Sequence, residues 1–362
     1  RGIQLQGWTI ESWLQSPEPI VSLAKGALEN LGEAYKNGNI EIGISGYAHP
    51  ILPLLSPDLI YAQIALDLEV AEKYLGKPTW FWFPEGAVDQ KLLKVLFENF
   101  PELIVVIPDR SLGKKNFSGF VRINRKNGGE QGALVCDSLL KDIMMNAEYY
   151  PQKPSYAPEN IDWPTAQKMV YDGEKFGKIL QTLGGDEHVL ARDWENKGSK
   201  DGLFQVNDGT DVKGLVELEA DFYLPSETDW SKAETISIEE IKPGSWEVGA
   251  PENDPFLYWR PNKKGEKWKS LTKEQKEWVG KWNTLVEEFD QKFQEEIAKR
   301  GGVKKALEGQ DFKNKLKKAL PALLSCVPWH FTAKPEWGPD PGFSKSAWEK
   351  IVQPSLQNLL QT

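Results

Sequence analysis

The sequence predicts an α/β protein with a parallel sheet in its first half and a helical C-terminal region. Three observations carry this. Short β-branched or aromatic runs alternate with amphipathic stretches between residues 18 and 107, the spacing of βαβ units. Each run ends in a polar or acidic segment, as strands of a parallel sheet do where they open on a site. After Thr272 the pattern changes, and apolar residues recur at helical spacing. With 362 residues the chain can bury one large core or two ordinary ones.

Taken in order, Ile20, Leu23, Ala24, Ala27, Leu28 and Leu31 mark an amphipathic helix over Glu18 to Asn37, stopped near Gly38. Ile40 to Ile44 reads as a strand. Ser56 and Pro57 are a cap and first-turn proline for a helix that Gly76 closes. Thr79 to Phe83 is a β-branched and aromatic strand, followed by a helix around Ala87 to Phe97. Leu103 to Ile107 is an apolar run expected to be buried on both faces. Asn124 to Gly132 reads as a polar, glycine-rich loop, and Pro151 to Pro164 as extended. Asn207-Asp208-Gly209 has hairpin-turn chemistry, and Ile236 to Ile241 reads as a strand entering Pro243-Gly244-Ser245-Trp246. Thr272 and Gln275 fit a capping box. Behind them Trp278, Trp282, Leu285, Phe289 and Phe293 define a helix that Gly301-Gly302 ends, about 40 Å long at about 1.5 Å per residue. Two or three further helices come after it. The expected division is 1–262 for the sheet-bearing unit and 263–362 for the helical one.

Composition narrows the function. A formal net charge of -9 disfavours an electrostatic grip on nucleic-acid phosphates. The basic run Lys313, Lys315, Lys317 and Lys318 accordingly reads as a solvated helix face. No apolar run approaches a membrane span. Fifteen Trp are many for this length, and indole faces serve cores and pyranose platforms alike. Cys136 and Cys326 do not make a disulfide framework, so a reducing, cytoplasmic compartment is expected. The opening residues do not read as a signal peptide.

The strand ends hold the candidate chemistry. Ile44 leads to His49, Phe83 to Glu85 and Ile107 to Asp109, so a His, a Glu and an Asp are expected on one face. Charge at a helix start is an ordinary explanation for Glu85. That reading is preferred from the residues alone, while the place of Glu85 after an apolar strand, with Trp80 and Trp82 beside it, adds weight to a site. Asp172 in Asp-Gly is a common turn signal. Yet Asp172 to Gly177 packs two carboxylates, an aromatic ring and two glycines into six residues, allowing a bulky ligand close to the backbone.

The stretches Glu41 to Leu54 (EIGISGYAHPILPL), Trp82-Phe83-Pro84-Glu85 and Asp172-Gly173-Glu174-Lys175-Phe176-Gly177 resemble, in order and spacing, signature regions of glycoside hydrolase family 57. That family includes α-amylases, 4-α-glucanotransferases, branching enzymes, amylopullulanases and α-galactosidases. The resemblance implies an incomplete (β/α)7 barrel with a helical C-terminal region and a retaining mechanism on α-glucans or maltooligosaccharides. It implies Glu85 as nucleophile and Asp172 as general acid/base. Glu41, His49, Trp82, Glu174 and Trp246 would be substrate contacts, with Asp109 on the same face. The family's first signature, a His-x-Pro-like stretch on the first barrel strand, is absent, and Arg1 onward resembles the region beyond that strand. Either a segment precedes Arg1, or this part of the sugar-binding floor is missing. The acid motif runs on to Ile179, where many relatives carry His or Trp.

The two-carboxylate chemistry needs groups about 5–5.5 Å apart, one ionised for attack and one protonated for the leaving oxygen. Water as acceptor gives hydrolysis and a sugar hydroxyl gives transglycosylation; the motifs do not choose. A metal-dependent deacetylase on a similar barrel would need a cluster of ligands, whereas His49, His188 and His330 are the only histidines. No metal or cofactor is implied. The remaining alternative is a catalytically impaired carbohydrate-binding protein on the same fold.

Overall fold

A computed structural model of the chain describes residues 1–113, 119–125, 128–138, 153, 159, 161–165, 177–181, 188–189, 223–245, 253–325, 327–328, 332 and 348–355. Among these, seven strands form one sheet in the order β1-β2-β3-β4-β6-β5-β7. They are β1 (Gly2–Gln4), β2 (Glu41–Ile44), β3 (Trp80–Trp82), β4 (Ile104–Pro108), β5 (Gly119–Asn124), β6 (Glu130–Cys136) and β7 (Glu234–Ser237). Strands β1 to β4 and β6 run parallel, β5 lies antiparallel to β6, and β7 lies parallel to β5. The C-terminal ends of five strands therefore share one side. No ladder joins β1 to β7 among the described residues.

The parallel α/β core agrees with the sequence reading; residues 124–132 do not. They carry the end of β5 and the start of β6, joined by a turn in which Gly128 and Gly129 take positive φ. Polar composition hid a hairpin whose turn needs those two glycines. The stretch 236–241 also differs. Its ladder ends at Ser237, whose backbone N–H donates to Glu240 Oε1 at 2.7 Å as the chain enters a 3-10 turn.

Helices α1 (Gly7–Leu14), α2 (Ile20–Lys36), α3 (Pro57–Tyr74) and α4 (Gln90–Asn99) cover the sheet. Ser56 caps α3, accepting from Leu59 N–H. Asp89 caps α4 in the same way, accepting from Leu92 N–H at 2.8 Å. The helix after β3 thus begins at Gln90 and not near Ala87, which detaches Glu85 from a helix start. Alternation sorts the strands: Ile42, Ile44, Phe81, Phe83, Val105 and Ile107 face the helices. Trp80, Val106, Leu134 and Cys136 form a second cluster on the other face, with Trp82 against it. A Cβ on Gly43 would stand 2.3 Å from the Trp80 ring, so only glycine lets that indole lie across β2.

In the C-terminal region α5 (Glu266–Ser270), α6 (Lys273–Lys299), α7 (Val303–Ala306) and α8 (Gln310–Ala319) complete the helices used below. The capping box forms as read, with Gln275 N–H donating to Thr272 Oγ1 at 3.1 Å and Thr272 N–H to Gln275 Oε1 at 2.8 Å. Trp282, Leu285, Phe289 and Phe293 of α6 and Phe312 and Leu316 of α8 join the helix-facing side chains of the sheet in one buried cluster. The basic run is less solvated than expected. Lys313 pairs with Glu69 at 2.7 Å and Lys317 with Glu11 at 2.8 Å, both lysines largely covered, so they fasten α8 onto α3 and α1. No helix among the described residues is long and apolar enough to cross a membrane.

Candidate active site

The site is built on the C-terminal ends of β2, β3 and β4. Glu85 lies just beyond β3 in a single 3-10 turn, Pro84–Gly86, with φ 56° and ψ 22°. His49, beyond β2, has φ 51°. They are the only non-glycine residues with positive φ among the described residues. Left-handed backbone costs an L-residue about 1–2 kcal/mol and persists where the surroundings impose it, which happens most often at functional sites.

The surroundings here are specific. The loop Ser45–Pro50 is tied down by α3. Asp67, fully buried, accepts from Ser45 N–H at 2.7 Å and from Gly7 N–H at 2.5 Å. One turn earlier, Gln63 accepts from Ala48 N–H through its side chain at 3.0 Å and from Tyr47 N–H through its carbonyl at 3.1 Å. Burial raises the Asp67 carboxyl to about 7, opposed by those two backbone donors. Desolvation lowers His49 to about 4, so its imidazole is neutral at physiological pH. Tyr47 donates to Glu11 at 2.5 Å; burial first, then that carboxylate, drives its own ionisation up.

The Glu85 loop is fixed by two other elements. Val88 and Gly244 exchange backbone hydrogen bonds at 2.9 and 3.0 Å, and Lys242 N–H donates to Ser111 O at 2.8 Å. The segment 242–245 thus stitches the loops after β3 and β4 together. Ile51, Ala87 and Trp259 form a small core beneath them. From the C-terminal region Ser325 donates to Glu85 Oε1 at 3.4 Å, and its backbone N–H donates to His49 O at 3.2 Å. Ser325 was not singled out from sequence, since it lies 240 positions from Glu85 and in none of the motifs.

The remaining candidates divide. Trp82 lies on the same face of β3 as Trp80, partly exposed, on the strand that delivers Glu85. Asp109 stands at the end of β4, but its carboxylate is engaged within the protein. Ser138 donates to it through its hydroxyl and, at 3.4 Å, its N–H, and Arg110 N–H donates at 2.8 Å. Burial raises Asp109 to about 6. Glu41 is not brought to this face. It is the first residue of β2, at the opposite end of the strand from Ser45. There it is buried and accepts from Thr79 Oγ1 at 2.5 Å and from Ser226 N–H at 3.1 Å and hydroxyl. Motif proximity to His49 concealed that a strand runs between the two. Asp172, Glu174 and Trp246 lie outside the described residues, as do Cys326 and His330; Ile179, in the helical turn 177–181, is buried.

Residues 10–155 match the family model described as glycosyl hydrolase family 57. A sequence search among curated proteins finds no match. Among solved structures the chain is similar to a branching enzyme of that family from Thermococcus kodakaraensis, with TM-score 0.55 and 16% identity over 98% of this chain and 79% of that one. A branching enzyme of that type from Pyrococcus horikoshii gives TM-score 0.57 and 16% identity over 96% and 72%. For a 4-α-glucanotransferase from Thermococcus litoralis the values are 0.54 and 16% over 99% and 52%, so the chain spans about half that protein. At these identities the structures speak to fold, and the likeness to the family rests on the sequence match over residues 10–155. The resemblance carried by the first two motifs therefore finds support in a family match: residues 10–155 are similar to glycosyl hydrolase family 57.

Proposed function

We propose that this chain is a retaining α-glucan-active enzyme, in which Glu85 attacks the anomeric carbon and Asp172 protonates the leaving oxygen. The observation that supports it best is the state of Glu85. It is a partly exposed carboxylate on strained backbone, at the end of a central parallel strand, beside the partly exposed Trp82. Glu41, Asp67 and Asp109 are instead buried, and none of them is at positive φ. A nucleophile must keep its charge and its direction until the sugar arrives. Trp82 would offer a pyranose an apolar face on the same strand. His49, neutral at working pH, would be a hydrogen-bond partner for a sugar hydroxyl and not a cation.

In the reaction the Glu85 carboxylate forms a covalent glycosyl ester while Asp172 gives its proton to the departing chain. Asp172 then removes a proton from the acceptor, which displaces the ester and restores the α configuration. Water as acceptor makes a hydrolase, a 4-hydroxyl a glucanotransferase, a 6-hydroxyl a branching enzyme. The family match makes α-glucans the first substrates to test.

The test is a time course on maltoheptaose with wild type and Glu85→Gln. Wild type is expected to shorten or redistribute the chain, with Glu85→Gln slower by about 10³-fold or more. Sugar binding without turnover in the wild type would replace this reading with that of a carbohydrate-binding protein.

A further inference from the structure

The two left-handed residues of the strand-end face, His49 and Glu85, come from different loops, yet a single residue of the C-terminal region reaches both. Ser325 is 1% exposed. Its backbone N–H holds the His49 carbonyl and its hydroxyl faces Glu85 Oε1. Its own place is rigid. It stands just after the 3-10 turn Leu320–Leu323, whose four residues are all buried and whose Leu320, Ala322 and Leu323 belong to the core cluster shared with the sheet. The hydroxyl is therefore brought to the carboxylate by a packed element and not by a free loop.

We propose that Ser325 is a positioning residue for Glu85. The proposal rests on the reading of Glu85 as nucleophile. In-line attack needs the carboxylate held in one direction. A donor from a packed neighbour helps to hold it there and favours the charged form needed for attack. The 3.4 Å separation is long beside the usual range of about 2.5–3.0 Å for O–H···O. Contacts of this kind commonly tighten once substrate is bound. The backbone half of the link fixes His49 relative to Glu85, so one residue sets the spacing between the two loops.

Because the link to His49 is made by the main chain, Ser325→Ala removes only the hydroxyl. Steady-state kinetics on maltoheptaose across pH, for wild type, Ser325→Ala, Ser325→Cys and Glu85→Gln, test the idea. The expected result for Ser325→Ala is kcat lowered about tenfold with KM within about twofold, and the acidic limb of the kcat/KM profile moved to higher pH. Ser325→Cys keeps the shape with a weak donor, so it should fall between Ala and wild type and serves if Ala loosens the packing. Wild-type kcat and an unmoved acidic limb in both variants, with Glu85→Gln inactive, would overturn the positioning role alone. Full turnover by Glu85→Gln would overturn the nucleophile reading, and this proposal with it.

Discussion

Glu41 and Glu85 sit on neighbouring strands of one sheet and have opposite fates. Glu41 opens β2, is buried, and has three donors from Thr79 and Ser226 around its carboxylate. Glu85 lies beyond the end of β3, remains partly exposed, and holds left-handed backbone. The difference teaches that residue type says little about an acid in a parallel sheet until its strand end is known. At the N-terminal end the carboxylate is saturated and stabilises the fold. At the C-terminal end a loop presents it under strain, and the reaction proposed above uses it.

The largest expected contrast is catalytic. Glu85→Gln should remove turnover by about 10³-fold or more while leaving the unfolding midpoint nearly unchanged. Glu41→Gln should do the reverse. It leaves Ser226 N–H competing for one oxygen and costs about 1–3 kcal/mol in urea unfolding, with turnover per folded molecule retained. Equal loss of turnover in both variants would break the comparison.

Asp67→Asn is next. An amide offers one acceptor oxygen to two buried N–H groups, so a loss of about 2–3 kcal/mol is expected. The pH dependence sharpens this. Asp67 is raised to about 7 from 3.8, so across that window the folded state binds more protons than the unfolded one. By linkage its contribution to stability falls as pH rises from about 4 to about 7. His49, lowered from 6.5 to about 4, acts oppositely: its contribution rises with pH over that interval. Urea midpoints at pH 4.5 and 7.5 should therefore fall with pH more steeply in His49→Gln than in wild type, and less steeply in Asp67→Asn. Parallel slopes in all three would contradict the account.

Two smaller effects complete the series. Glu85→Gly should lose turnover as Glu85→Gln does, yet be at least as stable, because glycine adopts φ 56° without the L-residue cost of about 1 kcal/mol. A clearly less stable Gly variant would argue against strain at this position. Lys317→Ala should cost about 0.5–1 kcal/mol, reduced at high salt, since it removes the pair with Glu11 that fastens α8.

The features legible in the sequence were local. Ser56-Pro57, the Thr272–Gln275 box and the apolar spacing of α6 each contain their cause within one or a few turns of helix, and all three form. The order of strand, loop and acid was legible for the same reason, as was the family resemblance. Three things were not. The hairpin of β5 and β6 was masked by polar residues around Gly128 and Gly129. The left-handed state of Glu85 is a backbone property that no residue pattern before Gly86 announces. Ser325 meets Glu85 and His49 only after hundreds of intervening residues have folded, and such a contact leaves no periodic trace.

The central claim is covalent chemistry at Glu85, and trapping the intermediate tests it most directly. Asp172→Asn should still accept an activated α-glucosyl fluoride, whose leaving group needs no proton, but should discharge the product slowly. Peptide mass spectrometry after acid quench is then expected to find one glucosyl ester, on the peptide containing Glu85 and on that residue. A glucosyl group on another side chain would contradict the account, as would release of β-configured product with Glu85 unmodified.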